Sequence, residues 1–169
     1  MNFSQIRDMD ISNGIGIGVS LFVQGCHFHC KNCFNSETWD FNGGKPWTSD
    51  IEQSLIELLD RPFIKRLSIL GGEPLADENV ETTLNILKHI KQIFGSEKKV
   101  WLYTGYTWEE IMSINTLRQE VLMYVDVLVD GRFEYDKLDL TLPFRGSSNQ
   151  RIIDVNESLR RDSLMAMCL

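Results

Sequence analysis

The chain has 169 residues, with 17 basic and 24 acidic side chains and a formal net charge of −7. Because domains usually contain about 100 to 200 residues, this length predicts a single domain over residues 1–169. The acidic balance and the lack of a Lys or Arg cluster argue against nucleic-acid binding, which depends on cations that neutralise phosphates.

The composition of the N-terminal residues favours neither a secretory leader nor a membrane span. Arg7, Asp8 and Asp10 occupy the positions where a secretory leader would have an apolar core. The uncharged stretch that follows, up to Lys31, contains several glycines and polar side chains, which a membrane span would exclude. We therefore expect a cytoplasmic protein with reduced thiols and no membrane partner.

The first strand is predicted over residues 17–23, where β-branched and aromatic residues alternate before a cysteine-containing loop. Ser49 and Glu52 have the spacing of a capping box, and apolar residues then recur at helical intervals up to Arg61. These features predict a strand, a loop and a helix in that order.

The same unit repeats along the chain. A short buried strand is predicted over residues 67–70 and ends at Gly71-Gly72-Glu73-Pro74. An amphipathic helix follows over residues 80–94 and ends at Gly95. The third unit has a strand over residues 100–103.

The C-terminal half continues the alternation. Thr107 and Glu110 predict a capped helix, a short helix is expected over residues 117–123, and a strand over residues 125–129 breaks at Asp130-Gly131. Residues 131–150 show no hydrophobic periodicity of a helix or a strand. A fifth strand is expected over residues 151–155.

Strands that alternate with helices predict an α/β fold with a parallel sheet and right-handed crossovers. A closed eight-stranded barrel needs about 250 residues. The sequence therefore predicts an incomplete TIM-like barrel of repeated βα units, open on one side. The functional loops of such folds collect at the carboxyl ends of the strands, which would bring the cysteines and the Gly-Gly-Glu-Pro turn to one rim.

The strongest chemical motif is Cys26-x-x-x-Cys30-x-x-Cys33, because three thiolates on a short tether can face one inorganic core. The usual cysteinyl 4Fe-4S site has four thiolates, so three would leave one iron open to a small molecule. Cys168 is an alternative fourth ligand, although it lies next to the C-terminus, where chains are often poorly ordered.

Structural zinc is the alternative interpretation of these cysteines. His27 or His29 could supply a fourth ligand, and the protein would then be a zinc-stabilised interaction module without catalysis. Zinc ligands usually come as two separated pairs, and the sequence has no second pair. The spacing therefore favours an iron-sulfur cluster.

The turn after the second strand is a candidate cofactor site. Gly71 and Gly72 allow a ligand to approach the backbone closely, and Glu73 offers a carboxylate for an ammonium group. On the same rim as the cysteines, this turn could hold an amino acid whose amine and carboxylate reach the open iron.

The cysteine motif and the following Gly-Gly-Glu-Pro resemble those of the radical S-adenosylmethionine enzymes. Four further segments are similar to those of the members that activate anaerobic ribonucleoside-triphosphate reductase, namely Asn13-Gly14, 19–26, 130–133 and 145–151. The resemblance implies a 4Fe-4S cluster on Cys26, Cys30 and Cys33, with S-adenosylmethionine as the second cofactor.

The activity that the resemblance implies is a radical reaction. One electron, from a donor such as a flavodoxin, would cleave S-adenosylmethionine to methionine and a 5′-deoxyadenosyl radical. This radical would take a hydrogen atom from a glycine in the large catalytic subunit of the reductase. Activation of a different glycyl-radical enzyme is the alternative.

The resemblance also indicates further candidate site residues. The superfamily often has an aromatic residue after the second cysteine, where this chain has Lys31, so Phe34 is the nearest candidate for an adenine contact. Asp130 could help to bind a monovalent cation near the cofactor carboxylate. An open barrel would admit an extended peptide loop, and residues 131–150 are the candidate docking surface.

Overall fold

The structure is a computed structural model that describes residues 1–113 and 116–167. The strands are β1 (Asn2–Asp10), β2 (Gly18–Val23), β3 (Lys45–Pro46), β4 (Arg66–Gly71), β5 (Lys99–Tyr103), β6 (Val127–Asp130) and β7 (Arg151–Asp154). The α-helices are α1 (Ser49–Leu59), α2 (Val80–Phe94), α3 (Trp108–Met112), α4 (Leu117–Leu122) and α5 (Val155–Arg161).

All seven strands belong to one sheet, in the order β3-β1-β2-β4-β5-β6-β7. The four central strands, β2, β4, β5 and β6, are parallel to one another, and helices alternate with them along the chain as predicted. The three outer strands, β1 and β3 on one side and β7 on the other, pair antiparallel with their neighbours, and the sequence did not predict this. The sheet is open, while its correspondence to an incomplete TIM-like barrel stays a prediction.

The two faces of the sheet have different neighbours, because successive strand residues point to opposite sides. Val19, Leu21 and Leu102 belong to the main core, which includes the apolar faces of the helices. On the opposite face, Trp101 belongs to a smaller cluster, and Phe22 lines a cavity. The helices therefore cover one face, and loops enclose a cavity on the other.

Local sequence signals account for the helix boundaries. Thr107 and Glu110 form the predicted capping box of α3, and α2 ends at Gly95, whose φ is 54°. The N-cap of α1 is Thr48 instead of Ser49, because the Thr48 hydroxyl accepts the N–H of Ile51. Among the described residues, no helix combines the length and the apolar character needed to cross a bilayer.

Candidate metal centre and cofactor cavity

The three motif cysteines lie in the loop that follows β2 and line one cavity of about 520 Å³. Cys26, Cys30 and Cys33 are all half-buried free thiols. The Cys26 N–H donates to the Trp39 carbonyl at 3.0 Å, and the Cys33 N–H donates to the Cys30 carbonyl at 3.1 Å. The fold thus brings the predicted metal ligands to one cavity, whereas Cys168 lies outside the described residues.

The cysteine loop turns sharply twice. His29 and Asn32 adopt the left-handed backbone conformation, with φ of 45° and 55°. Asn tolerates this region better than most residues do, and a non-glycine residue held there costs free energy that the surrounding contacts must offset. The two turns flank Cys30 and place the cysteines on the same side of the loop as the cavity.

The thiols are harder to ionise than free cysteine. Burial, with a smaller contribution from the Glu73 charge, raises the pKa of Cys26 to about 11. Burial and the neighbouring Cys33 also raise the pKa of Cys30, while the Phe133 N–H and Arg132 act in the opposite direction. Thiolates in this loop therefore need a positively charged partner, which a bound metal centre supplies.

The two histidines of the loop are engaged outside the cavity. His27 Nε2 lies 2.9 Å from Glu78 Oε1, and the His29 ring stacks on Trp39 with a centroid distance of 4.5 Å. Neither histidine is among the residues that line the cavity with the cysteines. These contacts give the zinc alternative no fourth ligand from either histidine.

The described residues contain no group of three His, Cys, Asp or Glu side chains arranged around a single metal ion. A mononuclear zinc site needs such a group, because its ligands all bind one ion. A cluster distributes its thiolates over different irons, so its ligands lie farther apart than those of a single ion. The three cysteines line one cavity without converging on a single point.

Gly71 and Gly72 let the turn after β4 pack against the cysteine loop. A Cβ atom would lie 2.8 Å from the Val23 carbonyl oxygen at Gly71, and 2.4 Å from the Gly25 carbonyl oxygen at Gly72. The same segments are hydrogen-bonded, since the Glu73 N–H donates to the Gly25 carbonyl at 2.7 Å. The two motifs therefore form one rigid unit at the ends of β2 and β4.

The Glu73 side chain is buried at 2% exposure and joins the ends of β4 and β5. Its carboxylate accepts the Leu75 N–H at 2.9 Å, the Thr104 hydroxyl at 2.8 Å and the Gly105 N–H at 2.7 Å. Burial raises the pKa of Glu73 to about 7, although these hydrogen bonds oppose the shift. Because the protein already supplies three donors, contact with a ligand ammonium stays a prediction.

The structure places one of the other two predicted cofactor-binding residues in the cavity and the other outside it. Phe34 lines the cavity and packs against Phe133 with a centroid distance of 5.0 Å. Asp130 is fully buried, and its carboxylate accepts the Trp108 N–H at 2.7 Å and two donors of Arg151 at 2.5 and 3.0 Å. The structure does not bring Asp130 to the cysteine cavity, so the predicted cation role gains no support.

Sequence reasoning missed Phe28, which lies between the first two cysteines. Its ring packs on Gly105, where a Cβ atom would be 2.4 Å away, and on Tyr106 at a centroid distance of 4.9 Å. The Arg132 guanidinium lies 4.3 Å above the same ring. Phe28 thus fixes the cysteine loop to the ends of β5 and β6, and an apolar aromatic residue inside a polar loop was its only sequence signal.

The cavity is cationic although the chain is acidic. Three arginines line it, namely Arg7, Arg132 and Arg145, and Glu73 is its one acidic residue among those that the structure describes. The pKa of Glu73 is about 7, so even this carboxyl is partly neutral near neutral pH. Such a cavity favours ligands with an anionic group, for example a carboxylate.

Comparison with known proteins gives one consistent family. Residues 12–153 match the family described as a 4Fe-4S single cluster domain. The chain is 40% identical over 154 residues to a protein of Pasteurella multocida (strain Pm70), an alignment that covers 90% of this chain and 96% of the relative. It is also 40% identical over 152 residues to a protein of Escherichia coli (strain K12), covering 89% and 96% of the two chains.

A bacteriophage protein is similar to this chain as well. The chain is 38% identical over 152 residues to a protein of Enterobacteria phage T4, covering 90% of this chain and 93% of the relative. All three relatives are named anaerobic ribonucleoside-triphosphate reductase-activating protein.

Proposed function

The chain belongs to the family of anaerobic ribonucleoside-triphosphate reductase-activating proteins, with a 4Fe-4S single cluster domain, and from that premise we propose that it generates a glycyl radical on such a reductase. The proposed reaction is the reductive cleavage of S-adenosylmethionine, followed by hydrogen abstraction from a glycine of the large catalytic subunit. The electron would come from a small donor such as a flavodoxin.

One observation carries this proposal. The three cysteines and the Gly-Gly-Glu turn line the same cavity, and backbone hydrogen bonds hold the two motifs together. A cofactor that binds a metal centre and the turn at once would therefore find both parts in a fixed relation. Such preorganisation is the main contribution a protein makes to cofactor chemistry.

Each part of the cavity has a proposed role. Cys26, Cys30 and Cys33 would hold the cluster, and Gly71 and Gly72 would admit the amino-acid part of S-adenosylmethionine close to the backbone. When bound, the cluster and S-adenosylmethionine supply the electron and the 5′-deoxyadenosyl radical. The cavity volume, about 520 Å³, falls within the range of roughly 300 to 1,000 Å³ that is common for small-molecule sites.

The remaining lining residues would bind and shield the cofactor. Arg7, Arg132 and Arg145 provide positive charge for its carboxylate, and Phe34 offers an aromatic surface for adenine. The cavity opens to solvent at the loops, so the reductase itself would exclude water during the reaction.

Anaerobic reconstitution tests the proposal. We expect about four irons and four sulfides per chain, as one 4Fe-4S cluster requires. Reduction with S-adenosylmethionine present should then release 5′-deoxyadenosine, and adding the large reductase subunit should produce a glycyl electron-resonance signal on that subunit. The Cys30→Ser variant, purified as a folded protein, serves as the cluster-deficient control.

Two outcomes would contradict the proposal. A chain that binds one zinc and no iron would remove the radical chemistry. A chain that cleaves S-adenosylmethionine and forms the glycyl radical only on another glycyl-radical enzyme would keep the chemistry and change the partner.

A further inference from the structure

Asn79 occupies the N-cap of α2, but its side chain does not cap the helix. An asparagine side chain at this position usually accepts an N–H of the first helical turn. Among the residues that the structure describes, the Asn79 side chain makes no such bond, although it is buried at 1% exposure. A buried polar side chain is expected to have hydrogen-bond partners, so those of Asn79 must lie outside α2.

The Asn79 side chain bridges the two motifs of the cysteine cavity. Its Nδ2 donates to the Gln24 carbonyl at 2.9 Å and to the Glu73 carbonyl at 3.0 Å. Because both partners are acceptors, the side-chain nitrogen and not the oxygen must face them. Gln24 lies two residues before Cys26, and Glu73 is the last residue of the Gly-Gly-Glu turn. One side chain therefore connects the start of the cysteine loop with the turn after β4.

The bridge completes a short pairing between these two segments. The N–H groups of the second glycine and of the glutamate of the turn donate to the Val23 and Gly25 carbonyls, at 2.9 and 2.7 Å respectively. The carbonyl between them in sequence, that of Gln24, is bound by the Asn79 side chain. Asn79 and the turn together thus bind three consecutive carbonyl groups at the start of the cysteine loop.

The Gln24 side chain extends this connection to the other end of the cysteine loop. It is buried at 3% exposure, and its Nε2 donates to the Glu37 carbonyl at 3.1 Å. The neighbouring Gly25 N–H donates to the Thr38 carbonyl at 2.7 Å. Glu37 and Thr38 follow the third cysteine, so both ends of the loop are fixed at residues 24 and 25. A shift of the Gln24 backbone would therefore move both ends of the loop relative to the turn.

We propose that Asn79 is a positioning residue, which fixes the Gly-Gly-Glu turn relative to the cysteine loop so that S-adenosylmethionine bound at the turn reaches the open iron. This inference rests on the proposed function. Asn79 is not among the described residues that line the cavity, so it acts through the backbone of Gln24 and Glu73 and not by contact with the cofactor. A displacement of about 1 Å at a positioned group can cost on the order of a hundredfold in function.

Asn79→Ser removes the bridge and keeps a capping residue at the start of α2. Serine is among the preferred N-cap residues, and its short side chain has no amide group to reach two carbonyls. Ser158→Ala is the matched control for the loss of buried hydrogen bonds. Ser158 is fully buried outside the cavity, donates to the Asp154 carbonyl at 2.6 Å and accepts the Met165 N–H at 2.9 Å. Each variant thus loses two hydrogen bonds of one buried side chain.

The first measurement is anaerobic equilibrium binding of S-adenosylmethionine to the reconstituted proteins. We expect Asn79→Ser to keep the iron content of the parent and its electron-resonance spectrum in the absence of the cofactor, because the three cysteines are unchanged. Its affinity for S-adenosylmethionine should be at least tenfold weaker, whereas Ser158→Ala should bind within twofold of the parent. Weakening of equal size in both variants would follow from lost stability alone and would overturn the positioning role.

The parent protein separates this inference from the proposed function. If the electron-resonance spectrum of the reduced parent cluster does not respond to S-adenosylmethionine, the proposed function itself fails. If the parent responds and Asn79→Ser binds S-adenosylmethionine with the affinity of the parent, the proposed function stands and only the positioning role of Asn79 fails.

Amide hydrogen exchange in the cluster-free protein gives a second test, which also decides the matter if Asn79→Ser takes up too little iron for the binding measurement. The Gly72 and Glu73 N–H groups donate to carbonyls at the start of the cysteine loop, so loss of the bridge should speed their exchange at least tenfold. The Ile69 N–H, inside β4, should exchange within twofold of the parent. Unchanged exchange at Gly72 and Glu73, or equal acceleration at all three amides, would overturn the inference.

Discussion

At the scale of single residues, Arg132 is the side chain whose charge bears most directly on the proposed cluster. Its guanidinium lies over the Phe28 ring inside the cysteine loop, and its charge lowers the pKa of Cys30 against the effect of burial. Positive charge near a cluster stabilises the reduced form, because reduction adds negative charge.

We therefore expect Arg132→Gln to shift the midpoint potential of the reconstituted cluster to a more negative value. Arg132→Lys keeps the charge and should stay close to the parent. An anaerobic redox titration followed by electron resonance gives both values. Identical midpoint potentials for Arg132→Gln and the parent, at equal iron content, would show that Arg132 does not act on the cluster electrostatically.

Glu73 should make the stability of the cluster-free protein depend on pH. Burial raises the pKa of Glu73 to about 7, well above the ordinary value of a glutamate, so the folded protein binds this proton more tightly than the unfolded chain does. Its contribution is fully present below the unfolded pKa and is lost as pH rises through the folded value.

Relative to Glu73→Gln, the free energy of unfolding of the parent should thus fall between about pH 4.5 and pH 7, by roughly 2–3 kcal/mol. Denaturant unfolding of both proteins at several pH values measures the difference. A difference that does not change with pH would mean that Glu73 has an ordinary pKa in the fold.

The candidate site residues were predictable where the spacing of a motif identified them. The intervals in Cys26-x-x-x-Cys30-x-x-Cys33 are visible in the sequence, and so is the turn that follows β4. The direction of a side chain is not visible: Glu73 faces three internal donors, and Asp130 faces Arg151. These partners come from strands far apart in the chain, so only the folded sheet reveals them.

At the scale of elements, the contact between the Gly-Gly-Glu turn and the cysteine loop depends on Gly72. A methyl group there would meet backbone at 2.4 Å, which neither segment can avoid by a rotamer change. We expect Gly72→Ala to destabilise the protein by about 1–3 kcal/mol and to lower the iron content after reconstitution.

Gly95→Ala is the matched control, because Gly95 has a positive φ at the end of α2 and no atom within 4 Å of the added methyl group. It should cost about 1 kcal/mol and leave the iron content unchanged. Iron analysis and thermal unfolding compare the two variants. Full iron content in Gly72→Ala would argue against a shared site for the turn and the cysteine loop.

Asp126, which directly precedes β6, connects α2 and β5. Its carboxylate accepts Lys91 of α2 at 2.8 Å, Lys99 of β5 at 3.0 Å and the Val100 N–H at 2.9 Å. Burial alone would raise its pKa, but these donors together hold the pKa of Asp126 below its usual range.

Because a depressed pKa adds stability above the unfolded value, Asp126→Asn should lower the free energy of unfolding by about 1–3 kcal/mol at pH 7. The difference in unfolding free energy between the two proteins should start to narrow as pH falls below about 4, where the unfolded chain takes up the proton, and should vanish only below the depressed pKa of the folded state. Chemical unfolding at pH 7 and pH 3.5 checks both statements, and an equal gap at both values would contradict them.

The strands and helices were predictable where their apolar residues recur with a clear period. The four central strands and the helices α1 to α4 follow clear apolar patterns, and their bounds agree with the predictions within a few residues. β1 was missed because its pairing with β2 has two register irregularities and its outer positions carry charges. The fifth strand was predicted, but its antiparallel direction depends on the irregular connection over residues 131–150.

At the scale of the whole molecule, the topology explains why distant motifs share a cavity. The carboxyl ends of β2, β4 and β5 lie side by side, and each contributes a loop to the cysteine cavity. Alternation of strands and helices was enough to predict this meeting of the loops. It could not predict that the loop between β1 and β2 and residues 138–146 also line the cavity, because both segments pack against Trp101 of β5.

We propose that three cysteines hold a cluster and leave one iron for S-adenosylmethionine. Electron-nuclear double resonance of the reduced, reconstituted protein with S-adenosylmethionine labelled at the amino nitrogen and the carboxylate tests it directly. We expect hyperfine coupling from both labels to the cluster, and we expect this coupling to disappear when unlabelled cofactor replaces the labelled cofactor. Coupling from a histidine nitrogen instead, with none from the labelled cofactor, would contradict the claim.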